Sequence, residues 1–180
     1  SNYRAFLHLD AWLKKNKIVG ITGLDTRSLT NFIRDKGAPK GTIAYSKYGK
    51  FNVSKLTNST IKWSGLKNLD LAESVTTPKN YIWKGLQTWK KETGYKKNTK
   101  NLFHVVAIDY GIKKNILRYF SDFKCKVTVV SCKTSAEKIL DLKPNGIFLS
   151  NGPGDPAATG KYAIEILNEL IKKNLPIFGI

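Results

Sequence analysis

The stretch Gly146–Pro156 reads GIFLSNGPGDP and changes character abruptly at its middle. Ile147, Phe148 and Leu149 are residue types enriched in central strands, because branched and aromatic side chains pack well on a pleated sheet. The Gly and Pro residues that follow continue neither a strand nor a helix. Glycines allow positive φ and close approach to backbone N–H groups, which form anion-binding concavities in such turns. The stretch therefore predicts a buried strand that ends in an exposed loop suited to an oxyanion.

The glycine-rich loop has two interpretations. An isolated Gly-Pro-Gly more often marks a simple connection between a strand and a helix. The order SNGPGDPA is far more specific, and it resembles the active-site loop of class I glutamine amidotransferases. Beyond this loop, the resemblance extends along the chain to the small subunits of carbamoyl phosphate synthetase. The resemblance implies that Gly152 and Gly154 contact glutamine and that the Gly152 backbone N–H is an oxyanion donor.

From Leu102 onward, strand and helix patterns alternate. Strand character is found at 104–109, 126–130, 146–149 and 177–180, with amphipathic helical patterns between the strands. This alternation predicts right-handed crossovers and a parallel sheet covered on both faces. The expected fold class is α/β: the C-terminal part of a small α/β N-terminal domain, then the start of a parallel-sheet domain. The resemblance implies that the second is a flavodoxin-like class I glutamine amidotransferase domain.

Two motifs fall at the predicted carboxyl ends of strands, where open α/β sheets bind ligands. They are Asp109–Gly111 and Asn151–Pro156. The longer stretch Asp109–Asn115, reading DYGIKKN, resembles carbamoyl phosphate synthetases more than relatives such as anthranilate synthase. Between them, Thr134 and Glu137 have the spacing of a capping box. We expect the two motifs to face one site.

The first part of the chain mixes helix and strand signals. Leu9–Leu13 predicts a short helix, and 19–22 and 42–45 predict strands. Asp25 is placed to cap a helix that Gly37 would stop. The order GLDTRSLTNFIRDKGAPKGTI resembles the later part of the N-terminal domain of the small subunit. We assign no chemistry to this region.

The sequence predicts three segments. Residues 1–46 are the end of the N-terminal domain, 47–101 are an interdomain linking region that contains a possible short helix at 66–76, and 102–180 are the first half of the amidotransferase domain. Basic residues outnumber acidic ones by 20 to 6 up to residue 101, but only by 11 to 7 afterwards. This imbalance and the onset of regular alternation predict a boundary near Lys100.

Composition narrows the class of protein. The net charge of +18 raises the possibility of a nucleic-acid partner, but lysines scattered among Asn, Ser and Thr are more typical of a solvated surface. Cys125 and Cys132 match neither a redox pair nor a zinc site, and His8 and His104 lie far from them in sequence. We therefore expect two packing cysteines, no metal and no nucleic acid. Without a run of about 18 apolar residues, we expect no membrane partner and a cytoplasmic protein.

Glutamine hydrolysis needs a thiolate, a base and oxyanion donors. By the resemblance, the nucleophilic Cys is expected immediately after Ile180 and its His and Glu partners further on, so no catalytic residue lies in this chain, which we expect to be inactive alone. The implied partners are glutamine and a large synthetase subunit that uses ATP and bicarbonate, and no cofactor is expected here. Two alternatives stay open: another class I amidotransferase, or a non-catalytic basic module whose lysines gather on one face.

Overall fold

The computed structural model describes residues 2–180 and divides into two compact units, one ending at Gly65 and one spanning Leu66–Ile180. The helices are α1 Leu9–Lys15, α2 Thr26–Lys36, α3 Val53–Lys62, α4 Ala72–Val75, α5 Lys114–Asp122, α6 Ala136–Asp141 and α7 Pro156–Ile171. The strands are β1 Tyr81–Trp83, β2 Gly85–Lys90, β3 Gly94–Lys97, β4 Phe103–Asp109, β5 Cys125–Ser131, β6 Gly146–Leu149 and β7 Ile177–Gly179. None of the described helices is long and apolar enough to cross a bilayer.

The first unit contains α1, α2 and α3. As predicted, Asp25 caps α2 by accepting a hydrogen bond from Ser28 N at 3.0 Å, and Gly37 ends the helix with a φ of 80°. The strands predicted at 19–22 and 42–45 are not formed, because neither segment finds a hydrogen-bonding ladder partner among residues 2–65. No described residue of this unit is buried.

The second unit is built on a five-stranded sheet with the order β1-β5-β4-β6-β7. β5, β4, β6 and β7 are parallel, while the short β1 pairs antiparallel with β5 at one edge. Numbered along the chain, the parallel strands have the order 2-1-3-4, which is that of the flavodoxin-like sheet. The predicted α/β fold class is confirmed, and the parallel strands lie within one residue or so of their predicted bounds.

Hydrophobic cores cover both faces of this sheet. Val106 and Ile108 point to the face packed by α6 and α7, whereas Ala107 between them points to the face packed by α5. Phe148 is 1% exposed, and its ring meets Phe120 edge-on at 5.0 Å between centroids. Strands buried on both faces explain the continuous apolar runs in the sequence.

Two local predictions need correction. The N-cap of α6 is Ser135, whose hydroxyl accepts a hydrogen bond from Lys138 N, and not Thr134 as the capping-box spacing suggested. Within 66–76, only Ala72–Val75 is helical, because the flanking residues bond to distant parts of the unit instead of to one another. In the first case the cap lies one residue further along the chain, and in the second the helix is shorter than the predicted segment.

The division between the units differs from the predicted one. It falls at Gly65 and not near Lys100, so the predicted linking region is split. Residues 66–101 join the second unit, since Ala72 enters its core and Trp83 packs beside the α5 face. The β2–β3 hairpin is held against α5 by Arg118, whose guanidinium lies 3.7 Å from the centre of the Tyr95 ring. The aromatic residues scattered through the predicted linking region therefore make packing contacts with the second unit.

Candidate active site

The glycine-rich loop runs from the end of β6 to the start of α7. Asp155 is the N-cap of α7 and accepts a hydrogen bond from Ala157 N at 2.9 Å, while Pro156 occupies the first helical turn. Asp followed by Pro is a helix-start signal, since the Asp side chain caps and the Pro ring presets φ. This Asp-Pro signal is present in the sequence and marks the end of the loop, but it was not among the features used above to predict the site.

The second predicted motif lies beside the loop. β4 and β6 are neighbours, and the chain turns away from β4 at Asp109, whose Oδ1 accepts hydrogen bonds from Gly111 N at 2.9 Å and Ile112 N at 2.8 Å. Tyr110 N donates to Ser150 Oγ at 2.9 Å, which joins the two turns. In this strand order β4 and β6 flank the topological switch point, where such sheets bind ligands. The two motifs are therefore adjacent, as expected, and their sharing of one ligand site stays a prediction.

Gly152 is required by a close approach, and not by an unusual dihedral angle. Its φ is not positive, so of the two reasons that the sequence offered for a glycine here, positive φ does not apply. A Cβ on Gly152 would overlap the carbonyl oxygen of Tyr110 and lie 3.0 Å from the Tyr110 Cβ. Any side chain at 152 would therefore push the loop away from the turn that follows β4. The backbone N–H of Gly152 makes no hydrogen bond to residues 2–180.

Gly154 is required on both grounds. Its φ is +90°, which side-chain-bearing residues rarely adopt. A Cβ there would lie 2.5 Å from the Leu69 carbonyl oxygen and 2.8 Å from Leu71 N. The backbone of residues 69–71 thus occupies the space that a side chain would need. The predicted contact of Gly154 with glutamine stays a prediction, and the contact that the structure shows is with the chain itself.

We call residues 66–77 the edge segment, because they follow the edge of the sheet at which the parallel strands end. Near β6, Asn68 N donates to Asp155 Oδ2 at 2.7 Å, and Asp155 N donates back to the Leu69 carbonyl at 3.0 Å. Thr159 Oγ1, one turn into α7, bonds to Asp70 Oδ1 at 3.1 Å. This role of residues 66–77 could not be predicted from the sequence, because polar residues without periodicity carry no signal for such contacts.

The other end of the edge segment is fixed to β4 and β5. Thr76 Oγ1 donates to the Asp109 carbonyl at 2.6 Å and accepts from Cys132 N at 3.0 Å. Thr77 N donates to Asp109 Oδ2 at 2.9 Å. Asp109 therefore serves both its own turn and the edge segment, and three strand ends are joined by one stretch of chain. An ion pair between Glu73 and Lys133 adds to this attachment and raises the pKa of Lys133.

A cavity of about 510 Å³ opens beside the loop. It is lined by the loop, the first turns of α7 and the last residue of the chain, namely by Ala72, Tyr110, Leu149, Ser150, Asn151, Gly152, Pro153, Gly154, Pro156, Thr159, Gly160, Ala163, Ile164, Leu167 and Ile180. Both predicted site glycines, Gly152 and Gly154, are among them. Burial raises the pKa of the Tyr110 phenol to about 12, so this wall stays neutral.

The cysteines do not supply a nucleophile here. Both are buried and free, as expected of packing residues. Cys125 begins β5 at the opposite end of the sheet from the loop, and burial raises the pKa of its thiol. Cys132 lies in the core and accepts a hydrogen bond from the Tyr162 hydroxyl at 3.5 Å. No group of His, Cys, Asp or Glu among residues 2–180 is arranged to hold a metal ion. The described part of the site therefore provides backbone N–H donors and a cavity to a ligand, and no nucleophile.

Comparison with known proteins agrees with these features. Residues 106–180 match the family model of class-I glutamine amidotransferases, and residues 1–43 match that of the carbamoyl-phosphate synthase small chain, CPSase domain. The first match contains the glycine-rich loop and most of the parallel sheet. The second contains α1 and α2 with the Asp25 cap.

Relatives match along the whole chain. Carbamoyl phosphate synthase small chains from Rhizobium meliloti (strain 1021), Bradyrhizobium diazoefficiens and Agrobacterium fabrum (strain C58) are 52%, 51% and 51% identical to it. In each case the match covers 100% of this chain and 45% of the relative, so the chain spans about half the length of these proteins. The chain is thus similar over its full length to part of the carbamoyl phosphate synthase small chains, with a small-chain domain segment followed by a class-I glutamine amidotransferase segment.

Proposed function

We propose that this chain is part of the glutamine-hydrolysing small subunit of a carbamoyl phosphate synthase. It would release ammonia from glutamine for a large synthetase subunit that uses ATP and bicarbonate, in the arginine and pyrimidine pathways. One observation carries the proposal. The Gly152 N–H has no partner within the described chain, and it lies in a loop at the carboxyl end of β6 beside a cavity of about 510 Å³. Such a donor suits an oxyanion that develops in acyl transfer.

The position of Ile180 supports the same reaction. Ile180 N donates to the Leu149 carbonyl at 3.2 Å, which brings the end of β7 beside the end of β6. Ile180 also lines the cavity with Gly152. A nucleophilic Cys directly after Ile180, as the resemblance implies, would stand at the same edge as the proposed donor. A thiolate there could attack the side-chain amide of glutamine while the N–H stabilises the resulting oxyanion.

The alternatives receive less support. Another class I amidotransferase would not account for the small-chain match at residues 1–43 or for the full-length identity to small chains. A basic binding module would not explain why two turns meet at the switch point, at the carboxyl ends of β4 and β6. We also propose a cytoplasmic location and no cofactor bound by this subunit.

The test uses the full-length protein paired with its synthetase subunit. Synthesis of carbamoyl phosphate is measured with glutamine and, separately, with ammonium as nitrogen donor. Replacing the residue after Ile180 by Ser should abolish the glutamine-dependent rate and spare the ammonium-dependent rate. Equal glutamine-dependent rates in parent and variant would refute the proposed function.

A further inference from the structure

Asp155 makes more contacts than a helix cap needs. One carboxylate oxygen caps α7 through Ala157 N at 2.9 Å, and the other accepts Asn68 N at 2.7 Å. A cap satisfies its helix with a single acceptor atom. Asp155 also donates its own N–H to the Leu69 carbonyl at 3.0 Å, so the contact with the edge segment is reciprocal across 87 residues of sequence.

Asp25 in the first unit shows what an ordinary cap looks like. It too begins a helix, and its two oxygens bind Ser28 N at 3.0 Å and Ser28 Oγ at 2.8 Å. Both bonds stay within its own helical turn. The pKa of each carboxyl is lowered, that of Asp25 mainly by Ser28 N and that of Asp155 mainly by Asn68 N. The second oxygen of Asp155 is thus directed to a distant segment.

The contact lies immediately next to the proposed oxyanion loop. Gly154 precedes Asp155, and the missing Cβ of Gly154 leaves room for Leu69 and Leu71. On its other side the loop meets the Tyr110 carbonyl at Gly152. The loop is therefore held between two backbones. On the Leu69 side, Asp155 accepts one hydrogen bond from the edge segment, through Asn68 N, and donates one to it, at the Leu69 carbonyl.

We propose that Asp155 is a positioning residue for glutamine hydrolysis: by binding Asn68 N it holds the edge segment against Gly154 and so fixes the direction of the Gly152 N–H. This inference rests on the proposed function. Misplacement of a reacting group by 1 Å costs about 10²-fold in rate. A loop released on one side loses that alignment without losing its cavity, so turnover should suffer more than substrate binding.

Asp155→Asn separates the helix cap, which is the hydrogen bond from Ala157 N, from the clamp, by which we mean the hydrogen bond from Asn68 N. An Asn side chain keeps one acceptor oxygen for Ala157 N and is as good an N-cap as Asp. Its amide nitrogen is a donor and cannot accept Asn68 N. Asp155→Ser is the second variant, because its single hydroxyl also caps but does not present a donor amide to the edge segment. Asp25→Asn is the matched control, since the Ser28 hydroxyl can rotate to accept from the new amide.

The experiment is done in the full-length protein with its synthetase subunit. Both Asp155 variants should lower kcat for glutamine hydrolysis about 10-fold or more and change KM less than about threefold. Amide hydrogen exchange at Asn68 and Asp155 should rise about 10-fold, while exchange in β4 and β5 stays at the parent rate. Ammonium-dependent synthesis should be unchanged. Asp25→Asn should match the parent in every readout.

Each other result has a distinct meaning. Faster exchange at Asn68 with parent kcat would overturn the positioning role, and unchanged exchange would show that the bond clamps nothing. A rise in exchange throughout β4 and β5 would assign Asp155 to global stability instead. If the parent itself hydrolyses no glutamine, the proposed function fails and the catalytic role of Asp155 falls with it, while the exchange rates still decide whether the clamp exists.

Discussion

The two units of the chain differ in how their apolar residues are used. Up to Gly65, no described residue is buried, and Phe6, Ile21 and Ile43 are 86%, 63% and 60% exposed. From Leu66 onward, strands buried on both faces form a core in which Val106, Val127 and others are fully buried. Both regions show capped helices. Good local signals therefore form helices in either unit, and among residues 2–180 the buried side chains lie in the second unit.

This difference shows where the candidate site derives its rigidity. The loop at Gly152 and Gly154 is joined to buried strands on one side and to the edge segment on the other. Such a setting holds a loop in one arrangement, as a preorganised site requires. The first unit contains nothing comparable among residues 2–65, and we place no chemistry there.

The largest effect on folding stability is expected from truncating a side chain in the hydrophobic core. Phe148→Ala removes a fully buried ring and should destabilise the second unit by about 3–5 kcal/mol. Phe32→Ala in α2, where the ring is 49% exposed, should cost less than about 1 kcal/mol in the first unit. Denaturant unfolding followed by hydrogen exchange in each unit measures both. Similar losses for the two variants would remove the contrast between the units.

Two glycines with similar φ angles give the next effect. Gly154 and Gly37 have φ of +90° and +80°, but only Gly154 has backbone atoms where a Cβ would go. Gly37→Ala should cost about 1 kcal/mol from dihedral strain. Gly154→Ala should cost about 2–4 kcal/mol, because the edge segment must also move. Equal costs, measured by the same unfolding assay, would show that the edge segment does not press on the loop.

The smallest expected effect is on folding stability at acid pH, and it concerns the Asp155 carboxylate. The pKa of Asp155 is lowered in the folded chain, first by Asn68 N and then by Ala157 N. Its carboxylate therefore adds stability above the ordinary carboxyl pKa, and that contribution is lost as pH falls through the lowered folded value. Between about pH 5 and 2 the parent should lose more stability than Asp155→Asn, since the variant has no carboxylate at that position to protonate. Parallel stability curves in acid for the two proteins would contradict this.

The sequence patterns succeed where structure is decided locally. The Asp25 cap with its Gly37 stop depends on neighbours within one helix, and the parallel strands depend on apolar runs of the right length. The meeting of the two motifs at one edge also followed, because the carboxyl ends of adjacent parallel strands are adjacent in space.

The patterns fail where contacts are distant. Asn68 and Asp155 are 87 residues apart, and neither residue type predicts the other. Positive φ and close approach were both open for Gly152, which needs room for the Tyr110 carbonyl, and a sequence does not show which backbone will approach a glycine. The boundary at Gly65 was missed for the same reason, since the aromatic residues of 81–95 find their partners on β5 and α5.

The most direct test of the account is the glutamine-dependent rate of Gly152→Ala in the full-length protein, with the ammonium-dependent rate of its synthetase subunit measured on the same sample. Gly41→Ala is the control, since its φ is also not positive and a Cβ there meets nothing within 4 Å. If the Gly152 N–H stabilises the oxyanion, the displaced loop should lower glutamine-dependent turnover about 10²–10³-fold and leave the ammonium-dependent rate intact. A folded Gly152→Ala protein that uses glutamine at the parent rate would reduce Gly152 to a turn residue and contradict the account.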